Sequence, residues 1–183
     1  MADAPSLANH LLIAMPSLAD PNFAHTVTLV CEHSVDKGAL GIIINKPLPM
    51  TLSEVLSQMK LEAGDPAIAA RTVLRGGPVH KDRGFVVHRP GGTWDSSHAV
   101  SDAVQVTTSR DVLAAMARGD GPRDAFIALG YAGWEVGQLE REMLDNAWLS
   151  LPLDEHIVFE LPYEERWHAV WRKLGIDVGK VSH

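Results

Sequence analysis

The apolar positions of this chain fall into short runs separated by proline, glycine and polar clusters, and the spacing inside each run indicates the element it builds. His10-Leu11-Leu12-Ile13-Ala14-Met15, stopped by Pro16, is a continuous apolar run of the kind a buried strand requires, and residues 16–22 read as a loop. Thr26-Val27-Thr28-Leu29-Val30-Cys31 is rich in β-branched residues and forms a second strand ending at Glu32-His33. Leu40-Gly41-Ile42-Ile43-Ile44-Asn45 forms a third, and the short Asp36-Lys37-Gly38 connection predicts an antiparallel hairpin. Lys46-Pro47-Leu48-Pro49 breaks that strand. Thr51-Leu52-Ser53-Glu54 then has the capping-box pattern, in which hydroxyl and carboxylate satisfy backbone donors at a helix start. Leu52, Val55, Leu56 and Met59 supply the buried stripe of that helix.

Gly64-Asp65-Pro66 marks a loop, two strands (residues 72–75 and 84–88) flank Gly76-Gly77-Pro78, and the polar residues 93–98 read as an exposed loop. Val104-Gln105-Val106-Thr107 alternates like a half-buried strand, after which Ser109 caps a helix over Arg110–Arg118 that Gly119 ends. Phe126-Ile127-Ala128-Leu129 predicts a buried strand, Gly130-Tyr131-Ala132-Gly133-Trp134 a glycine-punctuated turn, and the residues from Glu135 an amphipathic helix. That helix would place Val136, Leu139, Met143 and Leu144 on one face. Asn146-Ala147-Trp148-Leu149 reads as a linker through Pro152 to a last strand, Ile157-Val158-Phe159-Glu160-Leu161. A final helix over residues 163–174 carries Tyr163, Trp167, Val170, Trp171 and Leu174 at helical spacing. About eight strands and about four helices, without regular strand-helix alternation, predict an α+β fold in one domain spanning 1–183, with residues 1–9 a loose lead-in.

Composition narrows the function classes. At 183 residues and 46% hydrophobic, the chain can bury a sizeable core. Its net charge of −7, with lysines and arginines scattered, argues against direct nucleic-acid binding. No apolar run is long enough to span a bilayer, and Met1-Ala2-Asp3-Ala4-Pro5 lacks a basic region leading into a hydrophobic stretch, so a cytoplasmic protein is expected. The single cysteine, Cys31, excludes an intrachain disulfide.

Candidate chemistry is sparse. Cys31 and His33 lie two apart, and on an extended strand they would share a face where imidazole lowers the thiol pKa, making them the catalytic candidates. The competing and stronger reading is a buried thiol acting as a small hydrophobe. None of the nine histidines stands at a paired-ligand spacing, so no metal is expected. Asn45 and Lys46 end an apolar strand, where lysine and amide would emerge at a sheet edge to bind a carboxylate or phosphate, or simply be solvated. Gly76-Gly77-Pro78 lacks the phosphate-loop spacing and no Gly-x-Gly-x-x-Gly occurs, so no cofactor is expected. Tyr131, Trp134, Glu140, Asn146 and Trp148 would line a small pocket at the glycine-punctuated corner, unless they are ordinary core aromatics beside a solvated acidic face.

An ordered set of segments resembles the YqgE/AlgH family of bacterial proteins. They are Leu11-Leu12-Ile13-Ala14-Met15-Pro16, Asp20-Pro21-Asn22-Phe23, Cys31-Glu32-His33, Gly41-Ile42-Ile43-Ile44-Asn45-Lys46-Pro47, Gly76-Gly77-Pro78-Val79, Gly84-Phe85-Val86-Val87-His88, Gly130-Tyr131-Ala132-Gly133-Trp134, Gly137-Gln138-Leu139-Glu140 and Asn146-Ala147-Trp148-Leu149. The resemblance implies an α+β domain whose mostly antiparallel sheet is bifurcated and curled into a pseudo-barrel. It implies no established reaction. Members are often labelled transcriptional regulators, by analogy with a role in alginate production in pseudomonads. Since no helix here reads as a basic recognition helix, such a role would run through a protein partner or a small ligand. The alternative is a small hydrolase or thiol enzyme working near Cys31 and His33 or at the corner.

Overall fold

A computed structural model describes residues 6–16, 18 and 20–175; part of the expected lead-in, residues 1–5, lies outside that range. The elements in chain order are β1 (His10–Ala14), β2 (Val27–Ser34), β3 (Gly38–Ile43), β4 (Pro47–Thr51), α1 (Leu52–Gln58) and α2 (Pro66–Ala69). There follow β5 (Thr72–Arg75), β6 (Val79–His88), β7 (Ser97–Ala99), β8 (Gln105–Thr107), α3 (Arg110–Arg118), β9 (Phe126–Trp134), α4 (Gln138–Leu144) and β10 (Trp148–Pro152). A π-helical turn (His156–Glu160) and a 3₁₀ turn (Tyr163–Glu165) then lead into α5 (Arg166–Lys173).

The sheet runs β10-β1-β2-β3-β9-β6-β8-β7, with β4 and β5 branching off β9. Among the described residues all pairings are antiparallel except β5 with β9. The branch has a local cause. One edge of β9 is taken by β6; the other is shared, β5 pairing with Ala128 and Leu129 and β3 pairing with Ala132, Gly133 and Trp134. Gly130 sits at the changeover with φ +82°, and a Cβ there would stand 2.4 Å from the Gly77 carbonyl oxygen. Only glycine tolerates both the left-handed backbone and that approach. Gly76 ties the strands together at this point, its N–H donating to Leu129 O and its carbonyl accepting from Ile43 N–H.

Three buried clusters fill the curled sheet and its flanks. The first, around Leu11, Leu29, Ile42, Phe85 and Trp171, is capped by α5. The second packs α1 and α3 on Val73, Val86 and Ile127. The third joins Leu12, Val30, Trp134, Leu139 and Trp148 under α4. The helix caps follow the chain locally: α1 has the expected capping box at Thr51 and Glu54, and α3 ends at Gly119 with φ +83°. At Ser109 the expected cap bond is absent. Its hydroxyl donates to Asp111 Oδ1 instead and accepts from Ser96 N–H.

Several sequence expectations fail for physical reasons. Gly130–Trp134 is not a turn; β9 runs straight through it, because the second glycine stays extended and its strand is needed by β3. Helix α4 starts only at Gln138, with Val136 58% and Leu144 84% exposed, so Leu139 and Met143 alone of the four expected apolar residues pack inward. Trp148–Pro152, read as a linker, is β10 and pairs with β1. Ile157 to Leu161, read as a strand, is mostly a π-helical turn: Asp154 accepts from the N–H groups of His156 and Ile157 and starts helical winding. Pro47–Thr51 forms strand β4, since two prolines on an outer strand cost no ladder bond facing solvent.

Candidate functional site

The free end of the β2–β3 hairpin and the short strand β7 stand apart across the curled sheet, leaving an open groove of about 720 Å³. Glu32, Lys37, Leu40, His98 and Tyr131 border it, and a smaller hollow of about 370 Å³ continues past Leu40 and His98 to Arg83 and Phe85. His98 bridges the two limbs: its Nε2 lies 3.3 Å from Cys31 O and its Nδ1 3.6 Å from Glu32 Oε1. Tyr131, projecting from β9, stacks on His80 with ring centroids 5.9 Å apart and meets Phe85 edge-on at 5.7 Å. It is held half-buried at the groove wall with its ring fixed by two neighbours.

The structure separates the two catalytic candidates. A bulge between Val30 and Glu32 interrupts the alternation of β2, so Cys31 packs into the first cluster while His33 turns to Glu140 on α4. The expected common face is not formed. Cys31 is 3% exposed, and burial, aided by the Glu32 charge, pushes its thiol up to about 12. A thiol so held is neither a nucleophile nor a metal ligand at neutral pH. His33 Nδ1 accepts the Leu7 N–H at 2.8 Å, which in the neutral ring places the proton on Nε2, 3.2 Å from Glu140 Oε1. Burial acts to raise Glu140, but its own backbone N–H and His33 outweigh this and hold the carboxyl below the usual range. The pair fastens the residues before β1 to α4.

The pocket expected at the corner does not assemble either. Trp134, 6% exposed, lines the groove but is largely buried. Its indole N–H donates to Glu142 Oε1 at 3.0 Å, the oxygen that also accepts the Trp148 N–H at 2.8 Å, while Gln138 donates to Glu142 Oε2. Phe23 completes this aromatic cluster, 5.2 Å from Trp148. Trp134 and Trp148 are therefore core residues organised by one carboxylate. Asn146 is exposed and follows α4 with φ +57°, a backbone role that suits asparagine. Glu140 belongs to the His33 clamp, so of the corner residues Tyr131 is the one that stands open at the groove.

Asn45 is 7% exposed and tied into the backbone: Oδ1 accepts from Val27 N–H at 2.8 Å and Nδ2 donates one of its two hydrogens to His25 O at 2.9 Å, closing the start of β2 at the wall of a cleft. Lys46 is half-buried at the edge of a separate cleft of about 300 Å³ bordered by His25, Tyr163, Trp167 and His168. Burial lowers its pKa, with repulsion from Arg75 adding to the effect. Sequence reasoning missed Glu142, Glu32, His98 and Arg75. Glu142 lies four residues after Gln138 and eight after Trp134, a spacing that hints at the indole contact. The others are brought together only by the sheet. Among the described residues there is no cluster of three or more potential metal ligands, and no helix long and apolar enough to cross a membrane.

Comparison with known proteins places this geometry. A family model described as AlgH-like matches residues 11–179. A UPF0301 protein of Thioalkalivibrio sulfidiphilus is 53% identical over 182 residues, covering 100% of this chain and 97% of the relative. One from Stenotrophomonas maltophilia is 50% identical over 177 residues, covering 97% and 94%. The solution structure of the AlgH protein from Pseudomonas aeruginosa is 46% identical, covers 100% of this chain and 98% of its own, and superposes with a TM-score of 0.83. Protein DIP2367 from Corynebacterium diphtheriae, at 18% identity with 94% and 89% covered, shares the fold with a TM-score of 0.69. With the bifurcated, curled sheet common to it and to the Pseudomonas structure, the chain belongs to the AlgH-like family.

Proposed function

We propose that this protein is a non-catalytic regulator that acts by holding a small ligand, or a segment of a protein partner, in the groove between the parted limbs of its sheet. The observation that carries this is the groove itself: about 720 Å³, with the half-buried ring of Tyr131 on its wall and Glu32 and His98 on its rim. A concave site with a fixed aromatic and a few convergent polar groups is what recognition requires. Thiol catalysis lacks its nucleophile, because Cys31 stays protonated at neutral pH. Direct promoter binding is opposed by the charge of −7. Regulation through a ligand or partner fits both facts.

Native mass spectrometry on protein purified without chelators, with denaturing spectra alongside, tests this. A co-purifying small molecule or partner is expected, in lower stoichiometry with Tyr131→Ala and with His98→Ala. A clean apo species, together with a pull-down in which wild type and Tyr131→Ala retain the same proteins, would refute it.

A further inference from the structure

The segment linking β3 to β4 gathers three cations, Arg166, Arg75 and Lys46. Arg166, 6% exposed, donates through Nη1 to Ile44 O and through Nε to Leu161 O, with its guanidinium carbon 4.9 Å above the Phe126 ring. Arg75 donates its backbone N–H to Lys46 O and its Nη2 to Asn22 O; its Nη1 is buried with no acceptor among the described residues. Lys46, whose carbonyl takes the Arg75 N–H, stands at the edge of the 300 Å³ cleft, which Glu164 also lines. Among the described residues none of the three makes a salt bridge within 4.0 Å. Burial lowers the pKa of all three, Arg166 to about 10; Asp20 offsets part of this at Arg75, and Glu164 part at Arg166.

Partly desolvated cations whose nearest acids stand beyond ion-pair distance are held at a cost. They persist where an anion from outside completes the set. One more donor lies alongside: Trp167, which stacks on His25 at 4.6 Å on the cleft wall, has a buried Nε1–H with no partner among the described residues. We propose that Lys46, with Arg75 behind it and the Trp167–His25 stack beside it, forms a binding site for the phosphate group of a small phosphorylated molecule. Lys46 contacts the phosphate directly. The guanidinium of Arg75 turns outward to give its free Nη1 an acceptor, and Arg166 contributes fixed positive potential from the core. Phosphate is favoured over a carboxylate because it offers more acceptor oxygens, enough to take Lys46, the turned Arg75 Nη1 and the Trp167 Nε1–H together. This site is separate from the Tyr131 groove and stands or falls independently of it.

The test is calorimetric titration of the full chain with inorganic phosphate and, separately, with phenyl phosphate, at ionic strength held constant with sodium chloride. Saturable one-to-one binding is expected. Lys46→Gln and Arg75→Gln should each weaken it roughly tenfold or more, the loss expected for one charge-assisted hydrogen bond. Tyr131→Ala should leave it unchanged. Tighter binding of phenyl phosphate would assign the site to a phosphomonoester with a planar group over the aromatic wall; equal or tighter binding of inorganic phosphate would assign it to phosphate itself. Lys46 is half-buried and its side chain makes no internal hydrogen bond among the described residues, so Lys46→Gln folds normally, as a thermal melt will verify. Absence of saturable heat with both probes, or unaltered affinity in Lys46→Gln, would overturn the proposal.

Discussion

Gly130 and Gly137 both have positive φ, +82° and +78°, but a side chain at each would meet different surroundings. At Gly137 nothing lies within 4 Å of an added Cβ, so Gly137→Ala carries the left-handed backbone penalty of about 1 to 2 kcal/mol and little else. At Gly130 the same penalty is joined by a 2.4 Å approach to Gly77 O and a 3.2 Å approach to Val79 O. Both are backbone atoms of strands pinned by the sheet, so relief requires β6 or the 76–78 segment to shift, at a further cost of about 1 to 3 kcal/mol. Gly130→Ala should therefore cost about 2 to 5 kcal/mol. A single domain has about 5 to 15 kcal/mol in hand. Urea unfolding followed by tryptophan fluorescence resolves the two variants, and each kcal/mol corresponds to about 2 to 4 °C in a thermal melt for a chain of this size. Equal losses for the two alanines would show that β9 is not held against Gly77, and the explanation of the branch point would be wrong.

Other consequences can be checked by simple measurements. Glu142→Ala strips two indole N–H groups of their acceptor and should cost about 2 to 4 kcal/mol, with a shift in tryptophan emission; Glu142→Gln, which keeps one acceptor oxygen, should cost less. In native protein at pH 8 Cys31 should resist a disulfide reagent and react fully only after unfolding, and prompt native labelling would contradict its burial. His88 is fully buried between Thr107 Oγ1 and Arg89 O, and burial lowers its pKa from 6.5 despite the opposing Arg89 carbonyl. As the pH falls below 6.5 the unfolded chain takes up the proton and the folded one does not. The His88 contribution is thus present above pH 6.5 and lost below it, and His88→Gln should flatten stability between pH 7 and 5.

Local signals were legible where neighbours in sequence are also neighbours in space. The capping box at Thr51 and Glu54, the glycine end of α3 and the β2–β3 hairpin all emerge from short windows of residues. Residues whose state depends on a distant strand were not. Trp148-Leu149-Ser150-Leu151 has no marked alternation of its own and becomes β10 because β1 offers an edge. Gly130 suggests a turn to any local rule, yet pairing with the surrounding strands keeps it, still left-handed, inside β9 as the branch point of the sheet. In the candidate sites, Tyr131 and Lys46 were visible as residue types at strand ends. The bulge that parts Cys31 from His33 was not, since nothing in Val30-Cys31-Glu32 announces an extra residue in the ladder. Arg75 and Arg166 gain meaning only when the fold brings both against residues 44–46.

The pairing of β1 with β10 bears on how the chain reaches its native state. β1 and β3 each pair early with β2, but the second edge of each waits, β1 for β10 and β3 for β9, until most of the chain is present. Non-local pairing of this kind slows folding, because long loops must close before any contact rewards them. During that interval the outer edges of the β1–β2–β3 unit, which carry Leu11, Leu12, Ile13, Ile42 and Ile43, lack their second neighbours. Open apolar edges of this kind are where an incompletely folded chain aggregates, a hazard that the closed native sheet conceals.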